Sequence, residues 1–166
     1  KLFLDFNIAA GTYQPNPLQD RCFECPAGFY CTTDVTNDLT DYKCPKGYYC
    51  PAGTAAELEN PCPVGTYNDH FGATSIDECV LAPPGYYQSG TAVIEITSAE
   101  ICTAGYYCTR GSITPTPTSG TGGQCTAGNY CPAGSPKMIA CTPGKKCTTA
   151  GLAAPDADCP ATYYCP

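Results

Sequence analysis

The side chains best placed to do chemistry in this chain are its fifteen cysteines, spread over 166 residues. Cysteine at that density supports either a disulfide scaffold or thiolate zinc sites. Zinc sites bring cysteines in close pairs, usually in two matched sets. Here the recurring gap is five residues, filled by Pro, Gly and Tyr, as in Cys44-Pro45-Lys46-Gly47-Tyr48-Tyr49-Cys50. The one close pair is Cys22 and Cys25, and the matching place after Cys79 holds Ala82. The spacing therefore predicts disulfides, an extracellular or secretory setting, and no metal or cofactor.

Other chemistry finds little support. His70 is the only histidine and has no nucleophile or second ligand beside it in sequence. No serine–histidine or cysteine–histidine grouping and no phosphate-binding loop occurs, so no catalytic residue is assigned and a non-enzyme is expected. Asp34, Asp38 and Asp41 lie in a polar loop without the central glycine and closing glutamate of a calcium-binding loop, so they read as a solvated segment. The formal charge is −7 and the pI near 4.4. Lys145-Lys146 is the densest positive spot, which gives nucleic acid nothing to bind. No apolar run approaches a membrane span. The chain opens at Lys1 inside an apparent strand, which reads as a mature or excised segment with its leader and any anchor elsewhere.

The elements that position the cysteines are repeats. Copies start at Cys25, Cys44, Cys62, Ala82, Cys102, Cys125, Cys141 and Cys159, with steps from 16 residues (Cys125 to Cys141) to 23 (Cys102 to Cys125). Three residues past each start stands glycine, except Thr162 in the last copy; five past stands tyrosine, except Lys146. Proline extends or turns the chain, glycine admits a positive φ, and tyrosine brings a large apolar ring with a wet end. The copy Ala82-Pro83-Pro84-Gly85-Tyr86-Tyr87-Gln88 keeps Gly and Tyr while losing both cysteines. The turn is thus the unit and the disulfide a separable staple. Leu, Ile, Val and Phe are too sparse for one large core. The expected fold is small, disulfide-rich and mostly β or irregular: an elongated stack of short hairpin repeats with few helices. Residues 1–21 form an N-terminal strand and connector, and 22–166 the repeat array.

Two disulfide schemes compete. Within copies the pairs are Cys25–Cys31, Cys44–Cys50, Cys62–Cys79, Cys102–Cys108, Cys125–Cys131, Cys141–Cys147 and Cys159–Cys165, leaving Cys22 unpaired or bonded to another chain. Between copies the pairs are 31–44, 50–62, 79–102, 108–125, 131–141 and 147–159, leaving Cys22, Cys25 and Cys165. Joint loss of cysteine at 82 and 88 favours the first. Leu2, Leu4, Phe6 and Ile8 alternate with other residues, which predicts a strand with one apolar face, paired inside the chain or donated to a neighbouring molecule. Thr91–Thr97 reads as a second strand and as the best internal partner for the first. Ala55–Asn60 has room for one helical turn. Gly111–Gly123 is rich in Thr, Ser, Pro and Gly. It is either a plain flexible loop or an O-glycosylated one, with acceptors at Thr114, Thr116, Thr118, Ser119 and Thr121. No N-x-S/T sequon occurs, so any sugar is O-linked.

Cys62 to Cys79, followed by Pro83-Pro84-Gly85-Tyr86-Tyr87, resembles an ephrin-receptor-like cysteine-rich repeat. The wording Cys44-Pro45-Lys46-Gly47-Tyr48-Tyr49-Cys50-Pro51-Ala52-Gly53 resembles arrays of that repeat in surface proteins of protists and algae. It is similar, more loosely, to the opening module of tumour-necrosis-factor-receptor repeats. The resemblance covers 22–166 and implies an extracellular module of short hairpins with no catalytic residues. The absent cysteines at 82 and 88 depart from its pattern. The expected role is a structural subunit of an extracellular filament or cell-surface coat, a homo-oligomer growing head-to-tail through its chain ends, with flagellar or ciliary appendages one setting the resemblance implies. The alternative is a ligand-binding receptor ectodomain.

Overall fold

The computed structural model describes residues 8–16, 21–33, 38–97 and 100–160. The local unit is one tight turn. In Pro26-Ala27-Gly28-Phe29 the Phe29 N–H donates to the Pro26 carbonyl, and Gly28 holds a φ of 87°. A four-residue turn with a positive φ at its third residue has type II character, which a Cβ would strain. The same bond closes the turns at Tyr48, Tyr86, Tyr106, Asn129 and Lys145.

The residues after each turn run back antiparallel against those just before the next copy. β1 (Thr12–Tyr13) pairs with β2 (Phe23–Glu24), β5 (Tyr106–Cys108) with β6 (Gly122–Gln124), β7 (Asn129–Tyr130) with β8 (Ile139–Ala140), and β9 (Lys145–Lys146) with β10 (Ala157–Asp158). β3 (Thr66–Tyr67) and β4 (Val80–Leu81) make a fifth two-stranded sheet. The remaining copies pair through single antiparallel bridges, Phe29 to Lys43, Tyr48 to Pro61 and Tyr86 to Ile101. Among the described residues there is no α-helix; Thr40–Tyr42 and Ile76–Glu78 are single 3-10 turns. The fold is a set of small disulfide-rich hairpin repeats.

The chain divides into two compact units, Lys1–Pro63 with Tyr67–Val80 and Thr91–Glu95, and Val64–Thr66 with Leu81–Gly90 and Ile96–Pro166. Inside each unit successive copies join by the same backbone bonds. In the first unit, the Cys44 N–H donates to Gly28 C=O (2.9 Å) and the Gly28 N–H to Cys50 C=O (2.8 Å). The Cys31 N–H donates to Thr54 C=O (3.0 Å) and the Gly53 N–H to Cys25 C=O (2.8 Å). In the second, Cys125 to Gly105, Gly105 to Cys131, Cys108 to Ser135 and Gly134 to Cys102 repeat that set. Backbone groups that water would otherwise satisfy are thus paired copy to copy.

From the Ile8 copy to the Cys102 copy, the turn glycine also reaches one copy further. A Cβ on Gly28 would lie 2.8 Å from the Gly72 carbonyl, and one on Gly65 2.8 Å from the Gly111 carbonyl, each in the copy after next. At these turns glycine is therefore needed twice over, for its φ and for this approach; at Gly128 and Gly144 a Cβ would meet nothing within 4 Å, so only the φ requires it.

Three expectations are corrected. Thr91–Thr97 forms no strand, because Ala92 takes a φ of 57°, the one positive-φ residue other than glycine among the described residues, and turns the chain. Its neighbours instead complete a joint: the Ala92 N–H donates to Cys62 C=O, and Val93 C=O accepts from the Asn68 N–H. The connector expected from Thr12 holds β1, and Ile8-Ala9-Ala10-Gly11-Thr12-Tyr13-Gln14 is a further copy of the turn. The Cys25 N–H donates to Gly11 C=O and the Gly11 N–H to Cys31 C=O, as at the joints from Gly28 to Gly128. Ala55–Asn60 is a turn rather than a helix, held by the Glu59 carboxylate accepting from the Ala55 and Ala56 N–H groups.

Candidate functional site

The stapled turns form the buried centre. Disulfides join Cys25 to Cys31, Cys44 to Cys50, Cys62 to Cys79, Cys102 to Cys108, Cys125 to Cys131 and Cys141 to Cys147, with Cα atoms 5.6 to 6.1 Å apart. This is the within-copy scheme. Cys159 is disulfide-bonded too; its expected partner, Cys165, lies outside the described residues. Cys25, Cys31, Cys44, Cys62, Cys102, Cys108, Cys125 and Cys131 are fully buried. Sulfur takes the place of the aliphatic core that the composition does not supply. A ring this small contributes about 2 kcal/mol in the chain-entropy account. Cys22 is exposed and free.

Where the closing cysteine is missing, an amide fills its slot. Gln14, Asn68 and Gln88 are all buried. Asn68 Nδ2 donates to the Tyr48 carbonyl (2.9 Å), and its Oδ1 accepts from the His70 N–H (3.1 Å). Gln88 Nε2 donates to the Glu100 carboxylate (2.7 Å), and its Oε1 accepts from the Gly90 N–H (2.9 Å). The amide ties the turn to neighbouring chain through two hydrogen bonds instead of one covalent link. With Asn68 in the closing slot, Cys62 bonds Cys79, seventeen residues on. Asn68 and Gln88 stand in the closing slot in the sequence itself, but Gln14 and the shared role of the three emerge only from the fold; the recurrence of an amide at the sixth place after a copy start is the signal. In the Cys141 copy, lysines replace the tyrosines, and Lys145 pairs with Asp158 across the β9–β10 hairpin.

His70 sits in the loop that Cys62–Cys79 closes. Its Nε2 lies 3.0 Å from Glu78 Oε2 and its Nδ1 3.5 Å from Asp69 Oδ1. The hydrogen bond to Glu78 raises the histidine pKa above its ordinary value, with Asp69 adding to it. The Glu78 carboxyl is held down to about 2, chiefly by His70 and then by the Thr74 N–H and hydroxyl. The cluster is exposed and braces a loop. Among the described residues no three His, Cys, Asp or Glu side chains are grouped to hold a metal. Asp38 accepts from the Thr40 N–H as a local turn, and Asp41 lies in the 3-10 turn that follows.

The Gly111–Gly123 segment is packed rather than plain loop. Pro117 is fully buried and Ser112 is buried. The Thr103 N–H donates to Pro115 C=O and the Thr109 N–H to Thr121 C=O. The Pro115 carbonyl oxygen lies 3.4 Å from Cys102 Sγ, so the segment roofs that disulfide. Thr116, Thr118 and Ser119 are exposed, whereas Thr114 and Thr121 are half-buried. Of the expected assembly strand, Leu2, Leu4 and Phe6 lie outside the described residues. Ile8 is buried in the opening slot of the first hairpin and is not part of a strand.

Among the described residues no helix is long and apolar enough to cross a membrane. A chain with this many buried disulfides belongs to an oxidising, extracellular or secretory setting. No family model matches the chain, and no curated protein matches it in sequence.

Proposed function

We propose that the chain is a non-enzymatic structural subunit of an extracellular filament or cell-surface coat, of the ephrin-receptor-like cysteine-rich repeat type, growing head-to-tail with further copies of itself. One observation carries the reading. Within each unit every hairpin offers unlike groups to its two neighbours: the turn-glycine carbonyl takes the next copy's opening N–H, while its own opening N–H goes to the copy before. Contacts between unlike faces that do not close on themselves extend indefinitely. Buried disulfides and paired backbone suit a material that must persist outside the cell. The exposed Cys22 thiol adds a group able to bond a second chain. Carbohydrate on the Gly111–Gly123 segment belongs to the same surface reading.

Sedimentation velocity of the secreted chain over a hundredfold concentration range tests this. The expected result is a progressive shift toward larger species, part of it surviving when Cys22→Ser removes the free thiol. One unchanging monomer peak throughout would overturn assembly and leave the receptor-ectodomain reading in its place.

A further inference from the structure

The Gly111–Gly123 segment carries six hydroxyl side chains; Ser112 is buried, and the fold separates the other five, all of the kind that accept O-linked sugar, into two classes. Thr121 Oγ1 donates to the buried Ser112 hydroxyl (3.4 Å), and Thr114 Oγ1 accepts from the Thr116 N–H (3.4 Å). Both side chains are half-buried. Thr116, Thr118 and Ser119 are exposed. Beside them the space is open: a Cβ on Gly120 would meet nothing within 4 Å. The backbone that presents them is fixed from below. Pro117 is buried between them, a Cβ on Gly122 would strike its ring at 2.6 Å, and the Thr121 N–H donates to Ser119 C=O. The result is a rigid platform with three outward hydroxyls.

We infer that Thr116, Thr118 and Ser119 are a glycosyl-acceptor site, modified by a transferase that uses a nucleoside-diphosphate sugar. In each transfer the side-chain oxygen bonds to the anomeric carbon, the bond from that carbon to the diphosphate breaks, the nucleotide leaves, and the hydroxyl proton passes to a base or to water. No redox step is involved. Prolines on both sides of Thr116 hold the acceptor strand out, and the acidic chain has no need of these hydroxyls for its own hydrogen bonding. Sugars here would cover the roof of the Cys102–Cys108 staple and leave the hairpin joints untouched. The inference rests on the secretory setting of the proposed function but not on assembly, so each can fail alone.

The test is site mapping on the full chain secreted by the cells that make it. After reduction and alkylation, trypsin releases Gly111–Lys137, which is fragmented by a method that keeps side-chain sugars attached. The expected result is whole sugar-residue mass increments on Thr116, Thr118 or Ser119 and none on Thr114 or Thr121. The triple variant Thr116→Val, Thr118→Val, Ser119→Ala changes only exposed side chains and is expected to remove every increment from the peptide without altering the melting temperature. A bare peptide from the native chain, or sugar confined to Thr114 or Thr121, would overturn the inference. Either result is independent of whether the chain sediments as an oligomer.

Discussion

His70 shows how much a single residue can contribute to one small loop. Its partners are Glu78 and Asp69, and with the imidazole half-exposed the pair is worth less than about 1 kcal/mol. The contribution has a defined pH window. The histidine pKa is raised by Glu78, so its share of stability is complete below the unfolded value near 6.5 and fades as pH climbs through the folded value. The Glu78 carboxyl is held down to about 2, so its share is complete above about 4.5 and is lost as pH falls toward 2. The loop closed by Cys62–Cys79 is therefore tightest in mildly acidic solution. In Glu78→Gln the His70 ring protons, followed by NMR, are expected to titrate closer to 6.5 than in the native chain. An unchanged titration would mean that Glu78 does not set the histidine. None of this was legible beforehand: a lone histidine in sequence says nothing about a carboxylate eight residues away until the Ile76–Glu78 turn brings the chain back.

At the scale of the element, the hairpin persists where its sulfur does not. Ile8–Gln14 and Ala82–Gln88 make the same backbone joints as the stapled copies. Most of this was readable. The Gly and Tyr slots fixed the period, and the cysteine-free Ala82 copy showed that the turn stands without its bond. The Ile8 copy was hidden because it lacks cysteine and proline as well, and because its apolar residues continue an alternation that resembles a strand. The Thr91–Thr97 segment misled for a related reason: Val93, Ile94 and Ile96 have strand composition, but strand preference yields to a joint that demands positive φ at residue 92. Transplanting a staple tests the equivalence. In Ala82→Cys/Gln88→Cys the new cysteines are expected to bond to each other. The small ring contributes about 2 kcal/mol, offset by about 1 kcal/mol for the lost Gln88 hydrogen bonds, so the melting temperature rises by a few degrees. Two free thiols at 82 and 88 in a non-reducing peptide map would show that this copy does not share the turn geometry of its neighbours.

For the whole molecule, the sequence reading extends as far as hairpins, staples and an oxidising setting, because cysteine spacing and glycine position dictate those locally. Assembly is another matter, since it depends on which surfaces meet between chains. What supports it is the asymmetry of the internal joint, in which each hairpin gives one set of backbone groups forward and another back. Under the proposed function, a subunit built this way would bind its own kind along one direction. Electron microscopy of the larger species from the sedimentation experiment asks this most directly. Head-to-tail growth predicts unbranched threads of uniform width that lengthen with protein concentration. Isolated particles of constant size, or closed rings, at every concentration would contradict it.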